Sequence, residues 1–273
     1  MPNVSAEENV AAIYSVLARV WGRQHWWPAK SRFEVIVGAY LTQNTSWRNV
    51  EIAMRELRTA RVLSVDGIRN ISLRRLERLI RSSGYFRQKA RKLKTFVRFL
   101  DERYGGSLGK MFAQPTAELR EQLLSLNGVG PETADSILLY AGQHPVFVVD
   151  AYTRRLAVRH GILDSKASYE EVRELFERAL IRAERIQFPG VNDRDYTVHV
   201  GAGVHARQGD AIGSAAHPPS RMSMAKRAPL AQVFNEMHGL IVSAGKQYCL
   251  KSKAQCEQCP LGFLMPTSQM SRD

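Results

Sequence analysis

Cysteine is scarce: the chain of 273 residues has three, all between positions 249 and 259. That excludes a disulfide-framed secreted domain, which needs its cysteines spread along the chain. Long apolar runs are lacking as well; none approaches the roughly 20 residues that a membrane-spanning helix requires. At the start, Glu7 and Glu8 stand where a signal peptide would carry its bases, so a cytoplasmic location is expected. Alternation with a period of two is rare, which points to a mainly α fold. Acidic residues are outnumbered, 26 against 39 Lys and Arg, for a net charge of +13 and an isoelectric point near 10.0. Such an excess attracts polyanions, with nucleic acid the first partner to consider and an anionic membrane the second. A solvated basic surface without a partner has the same composition.

What is present reads as a succession of helices with short joints. Helices are predicted over about 6–21, 31–43, 46–59, 73–82, 87–104, 116–126, 131–142, 151–160, 168–185 and 230–245. The first is amphipathic through Val10, Ile13, Val16 and Leu17. Turn signals separate them at Pro28, Gly84, Gly105-Gly106, Pro115, Gly128-Val129-Gly130 and Gly161. The one strand-like piece, Val146-Phe147-Val148-Val149, is too short to imply a sheet. Residues 188–228 are rich in Gly, Ser, Pro and Ala and keep no helical face, which reads as a surface insertion or flexible linker. The spacings of His199, His205 and His217 in that stretch match no compact metal-ligand pattern.

The most informative segment is Leu126-Asn127-Gly128-Val129-Gly130-Pro131-Glu132-Thr133-Ala134-Asp135, followed by an apolar helix and Val148-Val149-Asp150. Two glycines permit a tight turn, and Pro131 suits the first position of a new helix. Backbone N–H groups at such a turn are free to bind a phosphate oxygen. A Gly-x-Gly between helices is, taken alone, no more than a turn. Together with the Thr-Ala pair and an aspartate about 20 residues later, it resembles the signature of helix-hairpin-helix DNA glycosylases of the endonuclease III type, with Asn127 in place of the usual proline. The resemblance extends over residues 25–187 and 230–260. It implies a bilobal α-helical fold: a lobe at 35–149 carrying the hairpin, a second lobe from 1–34 and 150–248, and a cysteine loop at 249–265.

By this resemblance Asp150 is the catalytic carboxylate. A carboxylate beside the deoxyribose stabilises the positive charge that builds as the N-glycosidic bond breaks, and it can orient an attacking water. The same position also suits a helix cap, and both roles are compatible. Members that also cut the strand carry a lysine where this chain has Glu132. A carboxylate forms no imine, so a monofunctional enzyme is expected, although a first-turn acid also suits the helix dipole. Trp26-Trp27-Pro28, Leu41-Thr42-Gln43-Asn44-Thr45 and Glu132-Thr133-Ala134-Asp135 are similar to the Helicobacter-type 3-methyladenine glycosylase branch. That similarity implies a base sandwiched by Trp27 and Trp47, with Trp26, Glu132 and Lys246 around it. A cationic methylated purine would favour electron-rich rings; core packing is the other use of such tryptophans. It also implies DNA contacts from Gln43, Tyr85 as an intercalating wedge, and the hairpin Gly128, Val129 and Gly130. The basic run Arg87, Lys89, Arg91, Lys92 and Lys94 would line the DNA backbone or form a solvated helix face.

Cys249, Cys256 and Cys259 match in spacing three ligands of the family's [4Fe–4S] loop. The fourth position holds Met265. A cluster with three cysteine ligands, a labile cluster and a relic loop all remain open. The partner implied is double-stranded DNA containing a damaged base, met by a monomer associated with the nucleoid rather than a membrane. Three other readings stand beside this one: a glycosylase for mismatched or oxidised bases, a non-catalytic DNA-binding module, and a bifunctional lyase that uses Lys246 or another amine.

Overall fold

The computed structural model describes residues 5–187 and 219–265. Its helices are α1 (Ala6–Trp21), α2 (Arg32–Leu41), α3 (Trp47–Thr59), α4 (Val65–Asn70), α5 (Leu73–Leu79), α6 (Phe86–Tyr104), α7 (Leu108–Phe112), α8 (Thr116–Leu124), α9 (Pro131–Ser136), α10 (Ala151–Arg159), α11 (Tyr169–Gln187) and α12 (Pro229–Gln247). No strand occurs among the described residues. None of their helices is long and apolar enough to cross a membrane. Serine sets several of the starts: the hydroxyls of Ser5, Ser31, Ser64, Ser72 and Ser107 each accept a backbone N–H three residues on. At Ser5 the cap is reciprocal, because Glu8 accepts the Ser5 amide at 2.8 Å.

The chain divides into two compact units, residues 27–144 and the residues on either side of them. In the 27–144 unit, α2 is the buried axis. Every residue from Phe33 to Leu41 is buried, so this helix is apolar all round and packs against α3, α6 and α9. Its one buried acid, Glu34, accepts from Arg58 at 3.2 Å and from the Lys30 amide at 2.8 Å. The α-helix expected over 131–142 stops at Ser136; residues 137–142 widen into a π-helical turn that carries Tyr140 into the core. The short helices α4 and α7 were not expected, having too few turns to show a periodicity.

The basic run on α6 divides by direction. Lys89 is buried, and its Nζ donates to the Leu41 and Ser83 carbonyls at 2.8 and 2.6 Å. Lys94 clamps the Arg69 and Ile71 carbonyls, and Lys92 donates to Gln43 Oε1 at 2.7 Å. Arg87 and Arg91 are the exposed cations of the run.

In the other unit, α1, α10, α11 and α12 pack together. α12 is buried from Val233 to Gly245, and its Gly239 faces the Gln24 and Trp26 side chains, where a Cβ would meet Gln24 Cβ at 2.9 Å. Val146–Val149 is fully buried but pairs with no strand. Side chains satisfy its backbone instead: the Phe147 amide donates to Glu177 Oε1 at 2.9 Å, and the Val149 amide to the Tyr169 hydroxyl at 3.3 Å. Phe147 stacks on Phe176 at 5.0 Å between centroids and meets Phe234 edge-on. This anchoring fixes the chain just before Asp150. Of the stretch 188–228, residues 188–218, with His199, His205 and His217, lie outside the described residues. Residues 219–228 form a turn in which Arg227 donates to the Met222 and Ala225 carbonyls at 2.8 and 3.2 Å.

Candidate active site

Asp150 is the N-cap of α10. Its Oδ1 accepts from the Thr153 amide at 2.8 Å and the Thr153 hydroxyl at 3.1 Å, while Oδ2 faces His238 Nε2 at 3.5 Å. Burial works to raise this carboxyl, but His238 and Thr153 outweigh it and hold it below the usual aspartate range. The side chain is 15 % exposed. His238 is itself buried on α12 against Trp26 and Phe147. The Trp26 carbonyl accepts from Asn235 at 2.7 Å, and Lys246 Nζ stands 5.8 Å from the Trp26 ring. Asp150, Trp26 and Lys246 are thus gathered around one face of α12. Nothing in the sequence singles out His238 or Asn235, since both fall within an apolar helix like ordinary core positions.

In the 27–144 unit, the hairpin lies between α8 and α9. Gly128 has φ +81°, a conformation that favours glycine, and Gly130 has open space around it. Gln43 braces this turn: its Nε2 donates to the Gly128 carbonyl at 3.1 Å and the Thr133 hydroxyl at 2.9 Å. Glu132 is exposed in the first turn of α9. Asp135, on the next turn, is fully buried and held by Arg120 through two hydrogen bonds of 2.6 and 3.1 Å. Tyr85 sits at the start of α6 with φ +46° and 66 % exposure. A large aromatic held in the left-handed region and turned outward is strained and solvated at once.

The tryptophans differ in setting. Trp27 is buried, its indole lying over Gly38, where a Cβ would come within 3.3 Å of the ring. Trp47 is half-buried and donates to Glu51 at 2.9 Å. The two rings meet edge to face, 5.0 Å between centroids and 87° between planes, and Tyr140 lies 5.1 Å from Trp27 on a tilt. A planar base between Trp27 and Trp47 needs two stacking contacts, so the rings as they stand leave no slot. Tyr140 joins this group without having been singled out from the sequence, because its place depends on the π-helical turn.

Cys249, Cys256 and Cys259 line one cavity with Met265, His160 and Arg159. Arg159 donates to Cys249 Sγ at 3.2 Å and to the Leu250 carbonyl at 2.7 Å, and Arg155 donates to the Cys249 carbonyl at 2.6 Å. Burial pushes the Cys259 thiol up to about 11, and the neighbouring Cys249 and Cys256 add to that. Among the described residues no three His, Cys, Asp or Glu side chains close on a single ion. Thiols and an imidazole are donor types that iron–sulfur groups use, and His160 Nδ1 is a buried polar atom without a hydrogen-bond partner in that wall. The donor set therefore fits an iron–sulfur group at three cysteine corners.

Among the described residues a wholly helical fold, with a glycine hairpin and a capped, ionised aspartate after it, defines the helix-hairpin-helix class of DNA-repair proteins. Residues 37–181 match the HhH-GPD superfamily base excision DNA repair protein, and the chain belongs to that superfamily as a DNA N-glycosylase. It is 38 % identical to the Methanocaldococcus jannaschii protein named "Putative DNA repair glycosylase MJ1434", over 93 % of this chain and 94 % of that one. Among solved structures it is similar to Helicobacter pylori 3-methyladenine DNA glycosylase bound to 1,N6-ethenoadenine, with 25 % identity, a TM-score of 0.65, and coverage of 89 % of this chain and 98 % of the other. An endonuclease III in a trapped covalent complex with DNA shares the fold, with a TM-score of 0.66 at 20 % identity and 97 % coverage of each chain.

Proposed function

We propose that this glycosylase is monofunctional and releases alkylated purines, 3-methyladenine foremost, from double-stranded DNA, acting as a monomer. The observation that carries the reading is a pair of carboxylates: Asp150, capped and held ionised, and Glu132, where a lyase of this class has its amine. Asp150 stabilises the developing sugar cation and orients the water that replaces the base. Glu132 has no nucleophilic amine, so the chain forms no imine with the sugar and the strand stays intact. Trp27, Trp47 and Tyr140 supply the π faces that a cationic purine prefers. The likeness to the Helicobacter pylori 3-methyladenine enzyme supports the substrate class.

The hairpin amides at Gly128 to Gly130, with Arg87 and Arg91, contact DNA phosphates, and Tyr85 enters the stack that the flipped base vacates. Cys249, Cys256 and Cys259 hold three corners of a [4Fe–4S] cluster, which when bound ties the C-terminal loop together and adds a redox-active centre.

The experiment is base release from duplex DNA treated with dimethyl sulfate. The expected result is free 3-methyladenine with strands uncut until alkali is added, and none from Asp150→Asn. Tight binding without release would favour the DNA-binding module, and release confined to mismatched or oxidised substrates would replace the alkylpurine reading. A borohydride-trapped adduct would refute the monofunctional reading and point to Lys246.

A further inference from the structure

Three cysteines leave one corner of a four-iron cluster without a thiolate, and the chain holds no fourth. We propose that the missing ligand is His160, through Nδ1. The proposal rests on the reading that Cys249, Cys256 and Cys259 hold such a cluster.

His160 closes α10 and lines the same cavity as the three cysteines. It is 7 % exposed, and its Nδ1 is buried with no hydrogen-bond partner. Leaving a ring nitrogen dry and unsatisfied is unfavourable, and buried polar atoms in folded proteins are nearly always paired. An iron in the cavity supplies the partner. The Leu264 carbonyl stands beside the imidazole as a backbone acceptor. A proton directed to it from Nε2 leaves the lone pair on Nδ1, which is how a second partner fixes the tautomer of a ligating histidine.

Met265 lines the cavity too and occupies the position of the family's cysteine. Its thioether is a soft neutral donor of the kind that selects cuprous copper, whereas imidazole is an established donor to iron. The ligand thus moves from the loop to the end of α10, which ties the cluster to a helix that begins at Asp150. Exchanging a thiolate for a neutral imidazole also makes the cluster less negative and raises its reduction potential.

The test uses the full chain, purified anaerobically and reconstituted with iron and sulfide, with nitrogen-15 histidine in one sample and natural histidine in the other. Iron and sulfide content, Mössbauer spectra and hyperfine spectra of the cryoreduced cluster are compared. The expected result is a cluster with a strong histidine nitrogen coupling that changes with the isotope. His160→Ala loses that coupling and its spectrum shows one iron altered or missing. His160→Cys restores four equivalent ligands, removes the coupling and lowers the potential; Met265→Ala leaves the spectra unchanged. A cluster without histidine coupling, or one whose spectrum responds to Met265→Ala and not to His160→Ala, overturns the assignment while the cluster reading stands. Failure of the wild-type chain to take up iron and sulfide overturns both. Because the labelled wild type answers by itself, poor folding of a variant does not decide the outcome.

Discussion

His238 Nε2 stands 3.5 Å from Asp150 Oδ2, on the side of the carboxylate that Thr153 does not cover. Of the groups that keep Asp150 ionised against its burial, His238 is the foremost. With its pKa depressed, Asp150 contributes stability that is present above the ordinary carboxylate range and lost as pH falls through the folded value, and under the proposed function its activity follows the same limb. His238→Ala leaves burial opposed by Thr153 alone, so the pKa rises. The acid limb of single-turnover base release is expected to move to higher pH in this variant, with the rate at neutral pH lowered less than in Asp150→Asn. The latter should lose about 100-fold or more. An acid limb that does not move would remove His238 from the electrostatics of the site.

Trp47 must leave the edge of Trp27 before a base can lie between them. Binding of an abasic duplex together with free 3-methyladenine is expected to change tryptophan fluorescence, and Trp47→Phe to abolish most of that change. Trp47→Ala should weaken base binding by the ~1–3 kcal/mol typical of a stacking contact, with a smaller effect on folding because Trp47 is half-buried.

Tyr85 has opposite effects on folding and on DNA. Its φ of +46° is strained and its ring is 66 % exposed, so Tyr85→Gly is expected to leave the midpoint of urea unfolding unchanged or raise it. The same change should weaken binding to lesion-containing duplex by about 1–3 kcal/mol, read by titration at fixed salt.

Arg120 and Asp135 form the buried ion pair of the hairpin helix, with Asp135 fully inaccessible. Arg120→Met removes both of these hydrogen bonds from a buried carboxylate and is expected to cost about 3–5 kcal/mol of stability, measured by chemical denaturation. Protein that remains folded should keep its lesion preference, since neither residue is among those grouped around Trp27 or Asp150.

Glu132→Lys places an amine at the exposed first turn of α9. With Asp150 intact, this variant is expected to give a borohydride-trapped DNA adduct that the wild type lacks, seen as a shifted band on a denaturing gel. Absence of the adduct would mean that Glu132 does not face the sugar.

The hairpin and Asp150 were legible because their logic is local. Glycine at a positive φ, proline at a first helical position and a side-chain cap are settled within a few residues. The partners of the charged side chains were not legible. Lys89 and Arg91 look alike in the α6 run, and only packing against the Leu41 and Ser83 carbonyls sends one inward. His238 is hidden for the same reason: a histidine in the middle of an apolar helix carries no mark of what faces it. α4 and α7 escaped because a helix of one or two turns shows too little periodicity. Trp26 and Trp27 were visible as a pair, but the glycines that seat them, Gly239 and Gly38, are distant in sequence and meaningful only once the helices are packed.

The π-helical turn at residues 137–142 amounts to one residue more than an α-helix would use over the same length. Each residue of an α-helix advances the face by about 100°, so deleting one here would regularise the coil and carry Tyr140 away from Trp27. A length change of a single residue would therefore alter the aromatic group while leaving every aromatic residue in the chain. Relatives that kept the hairpin and the aspartate but lost this wide turn would group these aromatic residues differently, and the proposed base pocket would change with them.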